Sequence, residues 1–374
     1  ISDQMKYYLI AGERSGDMHG ANLYKEIRKR DPEAVAMGIG GGYMHDAGVK
    51  LSKNYEELAI IGFFEIIEKL GVIRSALNQV KKELMEQRPD VLILIDYGGF
   101  NMRVAAFAKK LGVKVFYYIS PKIWAWNVKR AEKIKKFVDR MFVILPFEKE
   151  FFAKFDYKVD YVGNPVLDAI SQFTPNPNFI KDNSLEDKPI IAVLPGSRSN
   201  EIESTLFRML SILPAFPGHQ FVVAGVDNYP SRYYEQFRRN GRVHIVYEQT
   251  YDLLHNAEVA IVTSGTATLE TAIHRVPQVV VYRVNFISYY VIKMLIKVNF
   301  ISLVNLIAGK EVVKELIQND FSPANLRQEL HKIMMGESGR LEILKGYDDV
   351  ISKIGKPGAS EKAAELMIGY LNEK

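Results

Sequence analysis

Four short segments carry residue types and spacings that can do chemistry. Ala11-Gly-Glu-Arg-Ser-Gly-Asp17 follows an apolar run and opens a helical pattern. Gly12, Gly16 and Gly20 would let a backbone approach a ligand closely. The alternative is a plain turn with Asp17 as the cap of the helix. The spacing is not G-x-G-x-x-G, which disfavours a nicotinamide cofactor. Ile95-Asp-Tyr-Gly-Gly-Phe-Asn101 places Asp96 after a wholly apolar run, where a carboxylate can take a proton from a substrate hydroxyl. Read as structure alone, Asp96 or Asn101 caps the next helix. In Leu194-Pro-Gly-Ser-Arg-Ser-Asn-Glu201, Gly196 and Ser197 lead into a helix start that runs to Glu201. The free N–H groups there, with the guanidinium of Arg198, make a phosphate site. The segment lacks the Gly-Lys-Ser/Thr of a P-loop, so ATP hydrolysis is not indicated. Thr263-Ser-Gly-Thr-Ala-Thr-Leu-Glu270 is a further corner of this kind, with Ser264, Gly265 and Thr266 at the turn. Glu270, one turn into its helix, can accept hydrogen bonds from ribose hydroxyls; alone it reads as an ordinary exposed glutamate.

Other chemistries are poorly supported. The seven histidines are scattered, with no H-E-x-x-H and no Asp-x-Asp pair, so no metal site is expected. A transferase using nucleotide sugars without metal must neutralise its leaving diphosphate with helix ends and Arg or Lys, which suits the 196–201 corner. The absence of cysteine excludes a disulfide framework, a thiolate metal site and a cysteine nucleophile. The net charge of +5 and pI near 8.9 are mildly basic. The basic groups at 129–136 and 238–242 read as solvated helix faces, so no nucleic-acid partner is expected. A modest surplus suits anionic small molecules or an anionic membrane surface.

Two apolar stretches remain. Residues 59–70 contain Ile60, Ile61, Phe63, Phe64, Ile66 and Ile67 among few charges. Residues 286–300 place Lys293 and Lys297 four apart on one helical face, the profile of an interfacial amphipathic helix. Burial in the core or at a subunit interface is the alternative for both. No run reaches about 18 uncharged apolar residues, so a spanning helix is not expected.

The elements that must position these segments are legible as alternation. A chain of 374 residues, at roughly 150 per domain, favours two domains. Strand-like runs at 7–11, 91–95, 113–119 and 141–145 alternate with helical patterns, and a second series runs through 190–194, 222–224, 243–246, 259–262 and 279–282. This is βαβ grammar, implying parallel sheets covered on both faces. The expected architecture is α/β, with two Rossmann-like doubly wound domains. Domain boundaries fall at 1–165 and 189–344, joined by a polar, Pro-interrupted linker at 166–188, with 345–374 expected to return to the first domain. All four chemical segments then lie at strand-to-helix turns, where open α/β sheets bind ligands.

Taken in order, these segments resemble one family. With Gly38-Ile-Gly-Gly41, Ile60-Ile-Gly-Phe-Phe-Glu65, Ser120-Pro-Lys-Ile-Trp-Ala-Trp126, Leu145-Pro-Phe-Glu148, Val162-Gly163 and Asn305-Leu-Ile-Ala-Gly-Lys-Glu311, they are similar to the lipid-A-disaccharide synthases over about 7–320. The resemblance implies a GT-B glycosyltransferase with two Rossmann-like domains facing a cleft, no metal and no cofactor. It implies joining UDP-2,3-diacylglucosamine to 2,3-diacylglucosamine 1-phosphate to give the β-1′,6 lipid A disaccharide 1-phosphate and UDP. Other UDP-GlcNAc-type GT-B transferases, a UDP-sugar 2-epimerase and a non-catalytic nucleotide-sugar binder are the alternatives. By resemblance Asp96 is the general base, and Glu13, Ser15, Gly16 and Asn305 are substrate-contacting residues. Arg198 and 197–201 hold the diphosphate, with Gly196, Ser264, Gly265 and Thr266 beside them, and Glu270 holds the ribose. The apolar 60–67 patch contacts acyl chains or the membrane. The expected location is the cytoplasmic face of the inner membrane, held peripherally, with room for a homodimer. The helix near 360–371 is expected to pack on the first domain. The chain departs from the family pattern at Gly99, where a second Asp is usual, at Arg14 and at Asn164-Pro165.

Overall fold

The computed structural model describes residues 4–59, 66–123, 130–196, 199–226, 231–238, 241–284 and 299–373; side chains at 58–59, 66–70, 199–201 and 231–232 lie outside that description. The chain forms two compact units, residues 1–168 with 356–374, and residues 169–355.

The first unit holds a seven-stranded sheet: β1 (Lys6–Ala11), β2 (Val35–Gly40), β3 (Lys50–Asn54), β4 (Val91–Ile95), β5 (Lys114–Tyr118), β6 (Arg140–Val143) and β7 (Asp160–Tyr161). Their order is β3-β2-β1-β4-β5-β6-β7, and every pairing is parallel. Side chains alternate across a strand, so each apolar run feeds two cores. Tyr8, Ile10, Leu92, Leu94, Val115 and Tyr117 face one side and pack with residues of the helices Ile66–Gln87, Gly98–Lys110 and Arg130–Phe137. Tyr7, Leu9, Val91, Ile93, Ile95, Phe116 and Tyr118 face the other, with residues of the helices Arg14–Arg30 and Ala359–Asn372. Each fully buried large aliphatic side chain contributes roughly 1.5–3 kcal/mol.

The second unit holds a six-stranded sheet: β8 (Ile190–Leu194), β9 (Gln220–Gly225), β10 (Val243–Tyr247), β11 (Ala257–Thr263), β12 (Gln278–Tyr282) and β13 (Lys314–Ile317), ordered β10-β9-β8-β11-β12-β13 and again parallel throughout. Two Rossmann-like domains are therefore present. Strands β3, β7 and β13 are short or carry charged residues and β2 is broken by glycines, so none stands out in the sequence; β3, for instance, reads Lys-Leu-Ser-Lys-Asn at a sheet edge.

The C-terminal helix Ala359–Asn372 packs in the first unit, as expected. Ala363, Ala364 and Met367 enter its core. The buried Asp168 carboxylate accepts from the N–H groups of Gly358 (2.6 Å), Ala359 (3.1 Å) and Ser360 (3.0 Å), satisfying the open start of that helix. Two boundaries differ from expectation. The return begins at 356 rather than near 345, because the helix Ser338–Ile354 belongs to the second unit, where Tyr347 donates to Val276 O and Arg340 to Glu258 O. The connector is no bare linker either: its polar composition hides the helices Pro165–Ser171 and Phe179–Asp182, and Phe179 is buried in the second core. Among the described residues no helix is long and apolar enough to cross a membrane.

Candidate functional site

In a doubly wound sheet the crevice lies beyond the carboxyl ends of the two strands where the order reverses. In the first unit those strands are β1 and β4, paired in register through Ala11 and Ile95. The turn carrying Glu13 and the turn carrying Asp96 therefore leave the sheet side by side. In the second unit the reversal falls between β8 and β11. These are the strands that lead to Gly196 and to Ser264–Thr266. Each sheet thus brings its two chemical segments to one crevice, although they are some 70–85 residues apart in sequence.

The β1 turn is built around close approach. Glu13 precedes the helix Arg14–Arg30 in extended conformation and accepts from Ser15 Oγ at 2.8 Å. A Cβ on Gly12 would lie 2.2–2.5 Å from the Tyr97 ring, so only glycine lets the ring of the neighbouring turn lie against this one. Gly16 is buried with ordinary clearance to Ala11 and Ile95. Asp17 is not the cap of its own helix: its buried carboxylate accepts from Gly41 N (2.7 Å), Tyr43 N (3.0 Å) and Met44 N (3.1 Å), fastening the glycine-rich β2 turn. Arg14, where the family prefers a small residue, donates to Tyr43 Oη at 3.1 Å. Two positions further along the helix from Asp17, His19 is fully buried with Nδ1 unpartnered; burial lowers its pKa to about 4, against the opposing pull of Asp168 and Glu13.

The β4 turn is strained. Asp96 (φ 46°) and Tyr97 (φ 49°) are consecutive left-handed residues without a glycine, a conformation costing roughly 1–2 kcal/mol per residue. Asp96 N–H donates to Tyr118 O (3.3 Å) and Ile119 O (3.2 Å). Its carbonyl accepts from Tyr117 Oη (2.5 Å) and Asn101 Nδ2 (2.8 Å). At about 0.5–1.5 kcal/mol net each, these bonds offset the strain. Neither Asp96 nor Asn101 caps the helix. The cap position is Tyr97, without a side-chain bond, and the buried Asn101 lies inside the helix, bonding back to the carbonyls of Ile95 and Asp96. Asp96 itself is half-buried. Burial, reinforced by the Asp96 carboxylate, pushes the Tyr117 phenol well above its ordinary pKa. Gly99 is exposed with nothing within 4 Å of a Cβ, so steric need does not explain the missing second carboxylate. Asn164 accepts from Val166 N (3.1 Å) and supports the helix Pro165–Ser171.

In the second unit Gly196 turns the chain after β8 in a left-handed conformation (φ 97°), which glycine adopts freely. Ser197 and Arg198 lie outside the described residues, and of Glu201 only the helical backbone of Ser199–Leu210 is described. After β11, Ser264 Oγ donates to Ile301 O (2.9 Å), and Gly265 precedes the helix Thr266–Ile273 without a side-chain cap. The N–H groups of that helix start are therefore not taken by a capping side chain. Glu270 is not an ordinary exposed glutamate. It is half-buried and accepts from Tyr251 Oη at 2.9 Å. Burial raises its pKa, while the tyrosine bond works in the opposite direction. Phe173, Tyr251 and His274 stack beside it, with ring centroids 5.1–5.9 Å apart.

Asn305 is not a ligand contact. It is fully buried, its Oδ1 accepts from Val312 N (2.7 Å) and Val313 N (3.0 Å), and its Nδ2 donates to Val313 O (2.8 Å) and Glu315 Oε1 (2.9 Å). Every hydrogen-bonding position of the amide is spent on the chain itself. The candidate acyl contacts Ile60, Ile61, Phe63 and Phe64, and with them Trp124, Trp126, Lys293 and Lys297, lie outside the described residues, as do the side chains of Ile66 and Ile67. Sequence reasoning missed Tyr97, Tyr117 and Tyr251. They reach their partners across neighbouring strands or helices, and no local motif marks such contacts.

The sequence model of the lipid-A-disaccharide synthetase family matches residues 7–367. The chain belongs to that family. It is a glycosyltransferase of lipid A disaccharide synthesis. The lipid-A-disaccharide synthase of Syntrophus aciditrophicus is 38% identical over 98% of this chain and 97% of its own. That of Myxococcus xanthus is 36% identical, covering 99% of each. Among solved structures, the S. aureus MnaA–UDP complex superposes with a TM-score of 0.70 at 13% identity, over 98% of this chain and 97% of that one. The calicheamicin glycosyltransferase CalG4 gives 0.62 at 14% identity over 99% of each chain. At these identities the likeness is one of fold alone.

Proposed function

We propose that this member of the family joins UDP-2,3-diacylglucosamine to 2,3-diacylglucosamine 1-phosphate by an inverting single displacement, with Asp96 as general base. The acceptor 6-hydroxyl oxygen bonds to the anomeric carbon as the bond from that carbon to UDP breaks. The leaving electron pair goes to the diphosphate, and the hydroxyl proton passes to Asp96. The second unit holds UDP. Arg198 and the start of the helix Ser199–Leu210 meet the diphosphate, the corner at Ser264–Thr266 lies beside it, and Glu270 accepts from the ribose. The observation that carries this reading is the place of Asp96: a half-buried carboxylate at the reversal point of the first sheet, beside the Glu13 turn, on a strained and anchored backbone. Two consecutive left-handed non-glycine residues, one of them a crevice carboxylate, are backbone strain of the kind found at functional sites. The lone carboxylate of this turn, with Gly99 where the family has a second, leaves Asp96 as the acid of the motif.

Both substrates carry acyl chains, so the enzyme works at a bilayer surface, on the cytoplasmic face of the inner membrane and held peripherally. Phe63 and Phe64 dock the acyl region, and Lys293 and Lys297 face anionic head groups. Mass spectrometry of the product from the two diacyl substrates tests the reaction: equimolar disaccharide 1-phosphate and UDP are expected. UDP with free hydrolysed sugar, or an epimerised UDP-sugar, would overturn it. Replacing Phe63 and Phe64 by Ser should weaken vesicle co-sedimentation while leaving UDP affinity unchanged; equal loss of both would make these side chains core.

A further inference from the structure

We infer that Tyr117 is a positioning residue for Asp96: its hydroxyl and the amide of Asn101 together clamp the Asp96 carbonyl, and this clamp fixes the left-handed turn on which the carboxylate is carried. The inference rests on Asp96 as the base and adds the device that holds it.

Four observations converge. First, Tyr117 belongs to β5, the strand next to β4, and its side chain lies in the core shared with Tyr8, Leu94 and Val115. Packing there would be served equally by phenylalanine. The hydroxyl is what needs explaining, because burying one without a partner costs free energy. Second, that hydroxyl donates to the Asp96 carbonyl at 2.5 Å, and Asn101 Nδ2 donates to the same oxygen at 2.8 Å. Both donors are fully buried side chains, held by the core and by the helix Gly98–Lys110. Third, the clamped residue is the first of the left-handed pair Asp96–Tyr97. Tyrosine has no intrinsic preference for that conformation, so the pair persists only where surrounding bonds over-determine it. Fourth, Tyr97 presses its ring on Gly12, so release of the turn would reach the neighbouring Glu13 segment as well. The phenol stays protonated across any working pH, because burial and the nearby carboxylate both raise its pKa. It is therefore a permanent donor and takes no part in proton transfer.

Misplacing a catalytic group by about 1 Å can cost about 10²-fold. Tyr117→Phe in the full chain should therefore lower kcat by about 10–100-fold, with KM for the UDP-sugar and Kd for UDP within about twofold and a cooperative melt retained. In an Asp96→Asn background the same substitution should change the residual turnover less than about twofold, since nothing remains to be positioned. A Tyr117→Phe enzyme within about twofold of wild-type kcat overturns the proposal. So does a parallel loss of kcat, KM and UDP affinity, the mark of a general structural role. If Tyr117→Phe fails to fold, Asn101→Ala removes the second donor to the same carbonyl and carries the same expected and overturning results. The two layers separate cleanly. Wild-type turnover in Asp96→Asn ends the base assignment itself; loss of turnover there, with normal Tyr117→Phe kinetics, ends only the positioning role.

Discussion

Two carboxylates in this chain differ in what holds them, and their substitutions should differ accordingly. Asp96 sits on strained backbone at a crevice. Asp96→Asn keeps the size and most of the hydrogen bonding but cannot accept the hydroxyl proton, and general-base assistance contributes about 10²–10⁴-fold. We expect kcat to fall by that order in a UDP-release assay, with UDP affinity and melting temperature nearly unchanged; a folded variant within about threefold of wild type would end the assignment. Glu270 is held instead by burial and by Tyr251. Its pKa is raised in the folded protein, so the folded state favours the protonated form. Its contribution to stability is therefore fully present below the ordinary carboxylate pKa and is lost as pH rises through the raised value. Glu270→Gln, neutral at every pH, should melt higher than wild type near pH 8, by roughly 2–4 °C for each kcal/mol relieved. The difference should vanish below about pH 4.5. Calorimetry should show UDP binding weakened by about 1 kcal/mol, close to fivefold, as a charge-assisted bond becomes a neutral one. A lower melting temperature with unchanged UDP affinity would make Glu270 a structural residue.

At the scale of elements, the turns were legible because each is a local signal: an apolar strand, a small-residue corner, a helical pattern. Glu13, Asp96, Gly196 and Thr266 could be placed at strand ends from such signals alone. Which turns stand beside which could not, because that depends on strand order, and Tyr117 and Tyr251 act only across it. Asn305 shows the opposite failure. The family resemblance makes it a substrate contact, yet its amide closes its own loop on Val312 and Val313. Asp17 likewise reads as a local cap but serves the β2 turn 24–27 residues away. The contact between the β1 and β4 turns yields its own test. Gly12→Ala would put a Cβ 2.2–2.5 Å from the Tyr97 ring, and overpacking of this kind costs typically about 1–3 kcal/mol. We expect a matching loss in chemical denaturation together with a fall in kcat, because the displaced ring belongs to the Asp96 turn. Full activity in a destabilised Gly12→Ala protein would separate the two turns functionally.

At the scale of the whole molecule, the first unit is assembled from both ends of the described chain, and Asp168 is the fastening. Asp168→Ala leaves three N–H groups at the start of Ala359–Asn372 without their acceptor. Loss of a cap costs about 0.5–2 kcal/mol. Hydrogen exchange should show faster opening of 359–372 and of the Arg14–Arg30 helix packed on it, with UDP affinity unchanged in the second unit. Protection equal to wild type would mean that the core contacts of Ala363, Ala364 and Met367 hold the helix unaided.

The same fastening makes the second unit, topologically, an insertion. Its two ends, after residue 168 and before 356, leave the first unit next to the contact in which the Asp168 side chain accepts from Gly358 N at 2.6 Å. Because Asp168 and Gly358 are in contact, 4–168 spliced to 356–373 through a brief glycine linker has its seven strands and its returning helix in one uninterrupted chain. The excised segment 169–355 is likewise continuous and owns a complete sheet. Each unit can thus be produced and titrated without the other, which tests directly whether 169–355 binds UDP alone.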